Sequence, residues 1–151
     1  MLCCVATSAN NVAAGLICIK ATAPGICQIR SMTELPLIVA GQEKLTSLPA
    51  ETQYAANGIV SRTLLRTENM RVVLFGFSAG QELTEHTSTQ HAVVQVLTGE
   101  CDFSLGDQWH HLKAGTLLYM PPNLRHAVKA TTQFSMLLTL SKPAGPAAAE
   151  N

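Results

Sequence analysis

From Ile59 onward the chain beats out short apolar, β-branched runs separated by turn residues, and this rhythm constrains its fold more than any other feature. Ile59–Thr67 and Arg71–Ser78 flank Glu68-Asn69, which reads as a turn. His91–Thr98 is strongly β-branched and stops at Gly99. Cys101–Leu105 alternates, meets Gly106-Asp107 and resumes over Trp109–Leu112, the pattern of a hairpin. Thr116–Met120 is bracketed by Gly115 and Pro121-Pro122, and His126–Ala130 and Gln133–Leu140 follow. About eight strands at roughly ten-residue spacing describe a sandwich or barrel. No helical apolar period is sustained after residue 58, so helices are not expected there.

The stretch before that rhythm divides in two. Residues 1–31 carry no acidic residue, and Lys20 and Arg30 are their only charges. Met1-Leu2-Cys3-Cys4 lacks the basic start of a secretory signal, and too little apolar chain precedes Cys3 or Cys4 for a lipoprotein reading. We expect residues 1–31 to be a poorly ordered extension or a start-site artefact, with Met32 as the working start; a targeting peptide is the alternative. Residues 32–58 read as an arm holding a short helix or a strand, residues 59–141 as the barrel, and residues 142–151 as a disordered tail.

Composition narrows the function classes. The 151 residues suffice for one domain with a real core, and at 47% hydrophobic and 13% charged the chain is too apolar to be disordered. Ten basic residues balance ten acidic ones, so no net field recommends nucleic acid or an anionic membrane. No apolar run approaches the length of a membrane span. Cys3, Cys4, Cys18, Cys27 and Cys101 make neither a zinc ribbon nor a disulfide framework, which points to a reducing, cytoplasmic location. Small molecules and a second copy of the chain are the partners left.

Chemistry concentrates in two units that each run from a glycine to a histidine. The first is Gly80-x5-His86, closing at Gly99; the second is Gly115-x5-Pro121-x-Asn123-x2-His126. On a barrel they would aim His86 and His126 into one interior, with Val128 and Ala130 sharing the face of His126 and Ser88 that of His86. Between them, the inward set Ala92, Val94 and Val96 competes with His91, Val93, Gln95 and Leu97. A bulge would be needed to bring His91 inside. Glu82 and Glu85 read as a loop before His86. His110 and His111 read as solvated hairpin residues, and Cys101 as a small buried hydrophobe.

These units resemble the paired motifs of the cupin superfamily, G-x5-H-x-H-x(3,4)-E-x6-G and G-x5-P-x-G-x2-H-x3-N. The first is matched at Gly80, His86 and Gly99, the second at Gly115, Pro121 and His126. The resemblance covers roughly Arg71–Leu140 and is closest to small single-domain members, through Gln95-Val-Leu-Thr-Gly-Glu100 and Ala114-Gly-Thr-Leu-Leu-Tyr-Met-Pro-Pro122. It implies an all-β fold, the cupin-type double-stranded β-helix or jelly-roll barrel of RmlC-like proteins, and a homodimer that the arm helps to build.

The departures bear on function. The second motif histidine falls on Ser88, the glutamate on Ala92, the motif-two glycine on Asn123 and the final asparagine on Ala130. Members with all four ligands hold iron, manganese, nickel or zinc. Here the resemblance implies at most one such ion, weakly held by His86 and His126, with His91 as the candidate third ligand. Two readings of the site follow, beside a purely structural dimer that would need only the barrel and an exposed β-edge. One is a ligand-binding or sensory barrel with a pocket formed by His86, Ser88, Ala92, Val94, Met120 and His126. The other is a metal-dependent dioxygenase, isomerase or lyase built on the same histidines.

Overall fold

The computed structural model describes residues 35–143, so the proposed extension at residues 1–31 and most of the tail lie outside the described residues. Within them, β-branched and aromatic runs become strands, and turn residues separate them. Nine strands follow the arm: β1 (Ile59–Arg66), β2 (Met70–Phe77), β3 (Glu82–His86), β4 (His91–Thr98), β5 (Glu100–Leu105), β6 (Gln108–Lys113), β7 (Leu117–Met120), β8 (His126–Ala130) and β9 (Phe134–Ser141). The two-residue turn at Gly106-Asp107 joins β5 to β6 with Leu105 opposite Gln108. The arm contributes one turn of helix, α1 (Leu48–Glu51), and a parallel bridge from Ile38 to Leu65.

One correction to the sequence reading concerns β3. Glu82–His86 is a strand, not a loop, which raises the count from eight to nine. Its residues are half-buried or exposed, so the run lacks the apolar signature that marks the other strands.

The strands form two antiparallel sheets, ordered β1-β2-β9-β4-β7 and β3-β8-β5-β6. Each hides one face against the other, and the alternation along the strands decides which side chains go inside. On β4 the inward set is Ala92, Val94 and Val96, all 2% exposed or less. His91 therefore points the other way. The floor of the core is aromatic: Phe77 and Phe134 are fully buried and stack with centroids 4.5 Å apart. Burying such a ring contributes about 2–3 kcal/mol by area alone, and truncation costs more because a void is left.

Two glycines let chains approach where no side chain fits. Gly76 on β2 lies under the arm, and a Cβ there would sit 2.1 Å from the Gln53 carbonyl oxygen. Gly99 has φ +71°, and a Cβ there would meet the Gln133 carbonyl at 2.2 Å. The arm is further tied down by an Arg62–Glu51 ion pair and by the Ser78 hydroxyl donating to the Ala55 carbonyl.

Candidate functional site

The two glycine-to-histidine units meet on paired strands. His86 ends β3, His126 begins β8, and the two are cross-strand partners in the ladder. Their rings lie 4.3 Å apart, centroid to centroid, and are tilted by 55°. A register shift makes this possible. Leu83 pairs with Val128 and His86 with His126, so β3 spends one residue more than β8 over the same stretch. Strict alternation would put Leu83 and His86 on opposite faces; the extra residue puts them on the same one. The structure thus has a re-aiming bulge, but on β3 beside His86 and not on β4 beside His91.

Backbone carbonyls hold both rings. His86 Nδ1–H donates to the Thr84 carbonyl and His126 Nδ1–H to the Leu124 carbonyl, each at 2.8 Å. A carbonyl can only accept, so Nδ1 carries the hydrogen in both rings, and Nε2 keeps its lone pair when the ring is neutral. Neither Nε2 has a protein partner among the described residues. Burial drives the pKa of His126 below its ordinary value; the hydrogen bond to Leu124 opposes that shift, and the neighbouring His86 adds to it.

The pair closes one end of an interior cavity of about 120 Å³. The β3-β8-β5 wall contributes Leu83, His86, His126, Val128 and Phe103. The opposite sheet contributes Phe75, Met136, Leu138, Val94 and Met120. His86 is the one exposed residue of this lining, which places the mouth beside it. Among the described residues the two imidazoles are its only polar side chains, and no carboxylate, ammonium or guanidinium lines it. Arg71 has the strand parity of Phe75 but turns its guanidinium to the Thr63 hydroxyl.

Of the residues expected at the pocket, the structure brings His86, Val94, Met120 and His126 to the cavity. Ser88 and Ala92 are outside its lining. Ala92 packs in the core, while the Ser88 carbonyl accepts from the Asn123 amide at 2.6 Å and its hydroxyl from the Gln90 amide. Asn123 occupies the left-handed region at φ 65°, the conformation for which the motif reserves a glycine.

His91 does not join the pair. It faces outward, with Nδ1 2.8 Å from the Tyr119 hydroxyl and its ring stacked on that of Tyr119. Among the described residues no group of three or more His, Cys, Asp or Glu side chains is placed to hold a metal ion. Two imidazoles without a third ring or a carboxylate fall short of the donor set that grips a divalent ion. Sequence reasoning put Val128 on the face of His126 and counted Phe75 and Met136 as core residues of which some line any pocket, but it missed Leu83, Phe103 and Leu138. Their types mark them only as core, and pairing alone decides which of them border a void.

Comparison with known proteins agrees with this geometry. The model of the cupin domain family matches residues 73–140. Residues 73–140 form a cupin domain. A conserved protein of unknown function from Streptococcus pyogenes is 27% identical, with a TM-score of 0.65 over 77% of this chain and 100% of its own. A cupin superfamily protein from Desulfitobacterium hafniense is 24% identical and shares the fold, with a TM-score of 0.63 over 68% of this chain and 94% of its own. A cupin 2 conserved barrel domain protein from Leptotrichia buccalis is 33% identical, with a TM-score of 0.59 over 62% of this chain and 46% of its own. No curated protein matches the chain. Relative to the full cupin motif, this domain keeps one histidine from each half and fills the other ligand positions with Ser88 and Ala92.

Proposed function

We propose that this cupin domain is a binding module, its barrel holding one small molecule between apolar walls and the His86–His126 pair. The observation that carries the reading is the cavity itself: about 120 Å³, walled by apolar side chains, with two tethered imidazoles as the only polar side chains lining it among the described residues. Concave apolar space with few convergent polar groups is the usual form of a ligand site. We place the protein in the cytoplasm, on the cysteine usage of its sequence. We also propose a homodimer built on the outer face of the five-stranded sheet, where Leu117 is 69% and Tyr119 55% exposed.

A metal-dependent enzyme is the second reading, and one observation favours it. Metal-binding histidines commonly donate their other ring N–H to a backbone carbonyl, as both do here. Elemental mass spectrometry on untagged protein, beside a His126→Ala variant, separates the readings. The binding module is expected to carry far less than one metal per chain, even after incubation with iron, manganese, nickel and zinc. Near-stoichiometric metal, lost in His126→Ala, would overturn the binding reading and put the enzyme first.

A further inference from the structure

We infer that the ligand of this cavity is a neutral, ring-sized molecule with a hydrogen-bond donor at one end, of the phenol or cyclic-alcohol class. The inference rests on the reading of the cavity as a small-molecule site and specifies its chemistry. Three constraints lead to it.

Size comes first. The cavity holds about 120 Å³, near the scale of a void of about 150 Å³ that accepts benzene. One six-membered ring fits within that volume. Wall chemistry comes second. Phe75, Phe103, Val94 and Leu138 offer only dispersion and burial, so the body of the ligand is apolar.

The polar end is set by the imidazoles. With each Nδ1–H committed to a carbonyl, a neutral ring presents only the Nε2 lone pair. Two acceptors side by side are matched by an O–H or N–H donor, and an ether, ketone or carboxylate leaves them unmatched. An anion would also enter without a counter-charge, since among the described residues no cationic side chain lines the space. A site with fixed hydrogen-bonding groups rejects an analogue that lacks the matching group more strongly than a greasy wall rejects a change of shape.

The test is isothermal titration of the full chain at pH 8 with phenol, anisole, toluene and benzoate, repeated on His126→Phe, His86→Phe and the double variant. Phenol is expected to bind about five- to tenfold tighter than anisole or toluene, the worth of one hydrogen bond, and benzoate to bind weakest. The double variant His86→Phe/His126→Phe should erase the phenol preference while still taking toluene, and at least one of the single variants should reduce it, His86→Phe at the exposed position serving if a variant at His126 fails to fold. Equal binding of phenol and anisole, or tightest binding of benzoate, would overturn the donor inference while leaving the pocket standing. Failure of all four probes would overturn the pocket reading and the inference with it.

Discussion

Burial withholds water from His126, while His111 lies on the surface between two carboxylates, its Nδ1 2.7 Å from Asp102 and its Nε2 3.3 Å from Glu100. The hydrogen bond to Asp102, seconded by Glu100, raises the pKa of His111, whereas desolvation lowers that of His126. An unfolded histidine titrates near about 6.5. Below that value the unfolded chain takes up a proton that folded His126 resists, so stability falls as pH drops through and below it. His111 works in reverse: its contribution is complete below about 6.5 and is lost as pH rises through its higher folded value, and its exposure keeps the effect small. Melting temperatures from pH 5 to 8 should therefore lose part of their acid-side decline in His126→Gln and a smaller alkaline-side decline in His111→Gln. An unchanged acid slope in His126→Gln would contradict the assignment. Cys101, fully buried and held up to about 12 by burial and by Asp102, should resist iodoacetamide in the folded protein and react after denaturation, as peptide mapping would report. Which single residues matter was legible where a motif spacing names them, as with His86 and His126. It was not legible at Asn123, whose substitution for glycine becomes intelligible only with its backbone angle in view.

Strand β3 shows why elements differ in legibility. Glu-Leu-Thr-Glu-His offers one apolar residue, and the bulge between Leu83 and His86 breaks the period that a strand would otherwise display. A short strand at the edge of a sheet buries little, so its sequence reports little. The parity of β4, by contrast, could be read: the Ala92-Val94-Val96 set was the apolar choice, and its burial turned His91 outward. The arm gave no periodic signal because its anchoring is mostly backbone, through the Leu37 and Ile38 amides donating to the Thr63 and Leu64 carbonyls. Its passage over Gly76 makes a firm prediction. Gly76→Ala forces a methyl against the Gln53 carbonyl, so the arm must lift, at an expected cost of about 1–3 kcal/mol. Denaturant melts and limited proteolysis at Gln53–Ala55 would register this. A variant as stable and protease-resistant as the parent would show that the arm does not depend on that contact.

The architecture of the molecule was the most legible level, because alternation, glycine punctuation and the two motif spacings all demanded the same barrel. The cavity was the least, since its volume depends on how facing rows from two sheets fail to fill the space between them. The outer face of the five-stranded sheet carries its own prediction. Leu117 and Tyr119 sit on β7 at the sheet edge, 69% and 55% exposed. Light scattering should find a dimer that dissociates in the double variant Leu117→Glu/Tyr119→Lys, and a parent that is already monomeric would remove the homodimer proposal.

His86 and His126 also differ in what anchors their strands. His126 stands on β8, hydrogen-bonded on both sides by β3 and β5, whereas β3 has β8 as its single neighbour. Releasing one five-residue strand opens the cavity and withdraws one of its two acceptors, with the two-sheet core left intact. If the barrel holds a ligand as proposed, its residence time should follow this local opening, cheaper than global unfolding, and amide exchange along β3 should keep pace with ligand release.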